Sequence, residues 1–222
     1  MKALIQVLLF VLPWKIRRYS LIWFWGFKIH PKARIGFSII LAKKLIMEKS
    51  SLIGSLTICK RIDLLHCKEE SQIGTSNFIT GFASREIDAF SHRVNRKCEL
   101  VLERHAHITS RHFLDCNGGI YIGEFTTFAG IRSQIMTHSI DPYLNRQDAE
   151  PIYIGKYCFV GTGCILLKGS RLPDYSILGA GSVLNKAYSD TGFVYAGAPA
   201  RPVKKLNIDE LKFFNRQNGF VL

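Results

Sequence analysis

The chain has 222 residues, of which 47% are hydrophobic, enough for one sizeable core and too short to demand two conventional domains. Thirty Lys and Arg against seventeen Asp and Glu leave a formal net charge of +13, a surface that attracts anions. The basic residues are spread along the chain without zinc-finger spacing or an aromatic RNA-binding signature, so nucleic acid is not expected as a partner.

Residues 1–30 read as an apolar and basic helical segment. The run from Ala3 to Leu12 is too short to span a bilayer, which takes about 20 residues. Pro13, Trp14, Lys15, Arg17 and Arg18 follow it in place of a small-residue cleavage site, so export is not expected. Beside that basic cluster, Trp23, Trp25 and Phe27 suit either packing on the body of the protein or peripheral contact with anionic lipid.

From about Ile35 a six-residue period begins. Its aliphatic register runs weakly through Ile35, Leu41, Met47, Ile53 and Cys59, then through Leu102, Ile108 and Leu114, and through Ile122 and Phe128. Polar breaks near Lys68–Ser71, at 84–97 and at 139–151 predict projecting loops. From Ile154 the register is strict: Ile154, Val160, Leu166, Leu172, Leu178 and Leu184 are equivalent, and the position four residues after each is Cys158, Cys164, Ser170, Ser176, Ser182 and Tyr188. Neither a helix nor a simple strand has this period. A solenoid does, if each coil has three short strands, each placing an aliphatic residue in a narrow core and a small residue at a corner.

An open solenoid end exposes its core, and the N-terminal segment is placed to cover one end. At the other, Asn207 followed by Glu210 looks like a capping box for a helix over 207–222 carrying Leu211, Phe213 and Phe214. The body of the protein is then 31–206. The six cysteines form no C-x-x-C pair and read as free thiols in a reducing, cytoplasmic setting. Cys158 and Cys164 are expected to fill core rather than react.

The run GKYCFVGTGCILLKGSRLPDYSILGAGSVLNK, followed by YAGAPARPVKKL, resembles the C-terminal half of the hexapeptide-repeat acyltransferases, the group that includes galactoside, maltose and xenobiotic acetyltransferases. DCNGGIYIGEFTTFAGIRSQIMTHSIDP is similar to the stretch of polysaccharide-modifying members that carries the catalytic histidine. Together they cover Asp115 to Leu206. The resemblance implies an all-β, left-handed parallel β-helix with short terminal helices, a homotrimer with sites between subunits, and acetyl-coenzyme A as donor with no metal. The acceptor it implies is a sugar hydroxyl, as in surface-polysaccharide or lipopolysaccharide precursors.

An alcohol attacks a thioester poorly unless a base removes its proton as the bond forms. His138, in MTHSID, is the predicted base, although Ile140 stands where many relatives have a second histidine. Asp115 is its candidate assistant, with a plain turn aspartate as the alternative. By resemblance, Gly161, Gly179 and Ala180 permit close approach of the pantetheine arm, Phe159 stands where many relatives have tryptophan, and Lys186 and Arg201 match cations near the coenzyme phosphates. The loop 139–151 is suited to sugar recognition.

Three other readings are open: N-acetylation of an amino sugar, a non-catalytic trimeric scaffold, and a γ-type carbonic anhydrase. The last rests on His107 and His112, which reproduce an H-x-x-x-x-H ligand spacing but lack a third histidine at the expected separation.

Overall fold

The computed structural model describes residues 2–84 and 88–219; Met1, residues 85–87 of the 84–97 break and residues 220–222 of the expected C-terminal helix lie outside them. Strands of two to four residues recur along the chain and pair in parallel with the strand one coil away, giving three sheets that form the walls of a left-handed parallel β-helix. The walls are sheets of seven, nine and seven strands among the described residues.

Each wall contributes a vertical column of inward side chains. In the first wall Met47, Cys67, Leu102, Ile122, Ile154 and Leu172 are stacked coil on coil. In the second, Ile35, Ile53, Ile73, Ile108, Phe128, Val160 and Leu178 are stacked. In the third, Ile40, Cys59, Ile79, Leu114, Ile135, Leu166 and Leu184 are stacked. All are buried, so the strict register from Ile154 to Leu184 is the interior of the prism. Leu41 is the exception to the expected register: Ile40 takes the inward place and Leu41 is only half-buried. The side from Ile35 to Ile40 is one residue short of the period and the next, to Met47, one residue long, so the register is regained at Met47.

Ser170, Ser176, Ser182, Cys158 and Cys164 are buried at the corners. The Cys158 thiol donates to Pro173 O at 2.9 Å and is pushed up to about 12 by burial, which keeps it an inert core group. One corner closes with left-handed residues in register, among them Phe125, Tyr157 and Tyr175, whose rings stack at 4.7 and 5.4 Å.

Residues Lys2–Leu8 form helix α1 and Trp14–Trp25 form helix α2, and the two lie over the first coil. Unpaired strand edges would be left there, and three side chains take them up. Gln6 donates to Ile40 O (2.6 Å) and accepts from Ile40 N (2.8 Å) on the third wall. Arg17 donates to Ile35 O and Gly36 O on the second, and Arg18 to Ile29 O on the first. Buried Arg17 also lies 4.8 Å from the Trp14 ring centroid.

At the far end the cover is a hairpin rather than the C-terminal segment: Phe193–Gly197 pairs antiparallel with Ala200–Lys205 and places Tyr195 on the last coil. Among the described residues, 207–219 make two 3-10 turns, Ile208–Glu210 and Lys212–Asn215, instead of an α-helix. Asn207 makes no side-chain cap, and Leu211 is extended, so helical geometry is broken after one turn. This segment runs back along the aromatic corner, where Arg216 donates to Phe125 O and Phe214 meets Tyr175 at 5.9 Å.

The Lys68–Ser71 break does not project; it is a tight turn at a corner, closed by Ser71 N to Lys68 O at 3.1 Å, like the Glu48–Ser51 turn beneath it. The break at 84–97 is a true excursion between walls three and one, with a 3-10 turn at Asp88–Phe90. The 139–151 break is more ordered than a loop: His138–Asp141 pairs antiparallel with Arg146–Ala149 as a projecting hairpin.

Candidate active site

Asp115 ends a strand of the third wall, and His138 begins the hairpin one coil above. Asp115 is buried and surrounded by donors: Oδ1 accepts from Asn117 N (3.2 Å) and Nδ2 (2.5 Å), while Oδ2 accepts from Thr137 N (3.0 Å) and His138 N (3.1 Å). Oδ2 also lies 2.5 Å from His138 Nδ1. A carboxylate only accepts, so the neutral imidazole carries its proton on Nδ1 and leaves Nε2 with a lone pair. The His138 pKa is raised by the hydrogen bond to Asp115, against a smaller opposing effect of burial.

The neighbours fix this pair. Thr137 Oγ1 donates to Asp115 O (2.7 Å) and accepts from Gly118 N (2.8 Å). Asn117 Oδ1 accepts Phe82 N (2.7 Å), and Arg96 donates to the carbonyls of Phe82 and Asn117. The Phe90 ring meets the His138 ring edge-on at 6.3 Å. Arg93 forks onto Asp148 (2.6 and 2.9 Å) and reaches Glu150 (2.7 Å), so the 88–97 excursion is tied to the hairpin strand opposite His138. Lys168 also holds Asp148 at 2.6 Å, and the Asp148 carboxyl is held well below the usual range, chiefly by Arg93.

Beside the pair, the excursion and the first wall enclose a cleft of about 460 Å³, lined by His92, Arg93, Arg96, Lys97, Tyr121 and Tyr153 among others. Tyr121 and Tyr153 stack at 4.9 Å. A second groove, of about 700 Å³, runs along the outside of the third wall from Arg111 and Arg132 to Met136, two residues before His138.

Gly161 and Gly179 sit one coil apart, at the corner where the second wall passes to the third. A Cβ on Gly161 would lie 2.7 Å from Ala180 N, and one on Gly179 would lie 3.1 Å from Ala196 Cβ. Phe159 borders this column with Phe213 edge-on at 5.9 Å. Lys186 and Arg201 are exposed, Lys186 beyond the third wall and Arg201 on the terminal hairpin. His138 and Asp115 are thus brought together, whereas the glycine column lies at the other edge of the third wall. Asn117, Thr137, Phe90 and Arg93 were not singled out from sequence; only Asn117, in the Asn-Gly turn after Asp115, carried a local signal.

His112 is a core residue: Nδ1 accepts Ser133 N (3.2 Å), Nε2 is 3.0 Å from Thr109 Oγ1, and burial pushes its pKa down to about 4. Both nitrogens of His112 are therefore engaged within the core. Among the described residues no group of three or more His, Cys, Asp or Glu is placed to hold a metal ion.

No protein-family model matches the chain. The solved structure of the polysialic acid O-acetyltransferase OatWY superposes with a TM-score of 0.59 at 18% identity, covering 81% of this chain and 84% of that one. The fold is that of the hexapeptide-repeat acetyltransferases. In sequence, this β-helix is 28% identical over 100 residues to the galactoside O-acetyltransferase of Lactococcus lactis subsp. lactis (strain IL1403), covering 43% of the chain and 48% of that protein. It therefore spans about half the length of the curated relative it matches. A hexapeptide-repeat-containing acetyltransferase of Vibrio cholerae O1 biovar eltor, solved with acetyl coenzyme A, matches at a TM-score of 0.47 and 16% identity over 93% of this chain and 86% of its own.

Proposed function

We propose that this β-helix is an acetyl-coenzyme A-dependent O-acetyltransferase acting on a sugar hydroxyl, with His138 as general base and Asp115 as its positioning residue. The observation that carries the reading is the 2.5 Å His138–Asp115 contact, which leaves Nε2 basic on a residue two positions beyond Met136, where the third-wall groove ends.

Nε2 takes the acceptor's hydroxyl proton as its oxygen attacks the thioester carbonyl. The tetrahedral intermediate then collapses, the C–S bond breaks, and the coenzyme thiolate takes the proton from the imidazolium. Asp115 stabilises that imidazolium and holds the tautomer, and such base catalysis contributes about 10²–10⁴ in rate. Transfer is direct: the cysteines are buried, so none is available as an acyl carrier.

The donor lies along the third wall, its arm against the column of Gly161, Gly179 and Ala180 with Phe159 beside it, and its phosphates near exposed cations. Lys186 and Arg201 fill that role by resemblance, and Arg111 and Arg132 border the groove. A neighbouring subunit of a homotrimer closes this face. The cleft, with His92, Lys97 and Glu150 around two stacked tyrosines, suits a sugar, in keeping with a polysaccharide or lipopolysaccharide precursor made in the cytoplasm. The test is free-thiol release from acetyl-coenzyme A across nucleotide-linked and lipid-linked sugars, with mass spectrometry of the product. An alkali-labile acetyl ester supports O-transfer, an alkali-stable amide overturns it in favour of N-transfer, and no donor binding overturns the enzyme reading altogether.

A further inference from the structure

A helix at the surface of a protein ordinarily buries its apolar face and offers its polar one to water. The two N-terminal helices bury Leu21 but also polar side chains, and leave a large apolar face exposed. Gln6, Arg17 and Arg18 are turned inward because strand edges of the first coil need hydrogen-bond partners. The face of α2 opposite Arg17 and Leu21 then carries Ile16, Tyr19 and Trp23 at helical spacing, with Trp23 82% and Tyr19 65% exposed. In α1, Leu4 and Leu8 lie opposite Gln6 and are both exposed, and Val11 just beyond is 86% exposed. The end of the prism is therefore an apolar, aromatic surface whose underside mixes Leu21 with the hydrogen-bonding Gln6, Arg17 and Arg18.

Its charge is as one-sided as its hydrophobicity. From Lys2 to Met47 there are nine Lys and Arg and no Asp or Glu. Lys2, Lys15, Lys28, Lys32 and Arg34 in this stretch are exposed. Two copies meeting through this end would bring like charges together, which disfavours a second chain as the occupant. Anionic lipid headgroups around an acyl phase match both features. Among the described residues no helix is long and apolar enough to cross a membrane, so lipid contact through this segment would be interfacial.

We propose that the N-terminal cap is a monotopic membrane anchor, docking the solenoid end-on to a bilayer that contains anionic phospholipid through Leu4, Leu8, Val11, Ile16, Tyr19 and Trp23. The anchor does not depend on the reaction assigned above.

Co-sedimentation of the full chain with phosphatidylcholine vesicles, with and without phosphatidylglycerol, tests it. Wild type sediments with the anionic vesicles and is released by salt, and Tyr19→Ser/Trp23→Ser lowers partition by about tenfold or more. The changed side chains are exposed, so the thermal melt of the variant matches wild type. Leu56→Ser, which removes an equally exposed leucine elsewhere in the prism, leaves partition unchanged. Wild type remaining in the supernatant, or the double variant binding as wild type does, overturns the proposal. It is overturned too if vesicles are not bound and the double variant instead turns a larger species into a smaller one on a sizing column, since a second copy then covers the face.

Discussion

His138 Nδ1 lies 2.5 Å from Asp115 Oδ2, and the carboxylate it meets is buried and already holds the backbone amides of Thr137 and His138. The carboxylate cannot turn away from the ring without abandoning several donors. The ring is therefore fixed in tautomer and direction before any substrate arrives.

Its pKa is raised chiefly by that hydrogen bond, so the acid limb of kcat/KM falls above the ordinary imidazole value of about 6.5, activity rising as Nε2 is freed of its proton. In Asp115→Asn the raising cause is lost and the limb moves to lower pH, while kcat falls about 10²–10⁴-fold because the tautomer is no longer held. A pH–rate profile of both proteins checks this. The same pair links pH to folding: its extra stability is fully present below the unfolded imidazole pKa and is lost as pH rises through the folded one.

Gly161 and Gly179 separate structure from donor binding. Alanine at 161 drives a methyl into the backbone of Ala180, so the coils must part, at a cost of about 1–3 kcal/mol in the thermal melt. Alanine at 179 meets only a side-chain methyl at 3.1 Å, so the melt changes less while affinity for acetyl-coenzyme A falls. Calorimetric titration beside the melts distinguishes them.

Arg93→Met releases the 88–97 excursion from the hairpin. Amide exchange in residues 88–97 speeds up, and kcat falls about tenfold as Phe90 and the strand opposite His138 lose their fixed position. Lys168 still neutralises Asp148, so the fold survives.

Gln6→Leu removes both partners of Ile40's buried backbone groups and lowers stability by about 2 kcal/mol. A urea titration measures it. Activity per folded molecule is unchanged.

The late coils were legible because they are nearly identical. From Ile154 to Leu184 one aliphatic residue per wall repeats without slip, and each lies in the core. Earlier coils blur the period because the first wall holds inward pairs such as Leu100 and Leu102, and because Ile40 rather than Leu41 faces inward on the third wall. Of the site, His138 and Asp115 were found through the stretches that resemble other proteins. Arg93 and Phe90 were not, since an excursion has no period, and what they touch is decided by a hairpin far away in sequence. The C-terminal 3-10 turns carry no local signal for a similar reason: their hold on the aromatic corner comes from Arg216 and Phe214, not from a cap at Asn207.

The most direct test is to measure acetyl-coenzyme A binding and acceptor-dependent thiol release on wild type and His138→Ala side by side. The predicted result is equal donor affinity in both proteins, with release lowered at least about 10²-fold in the variant. Release by His138→Ala at the wild-type rate, with donor bound, would contradict the assignment of His138 as the base.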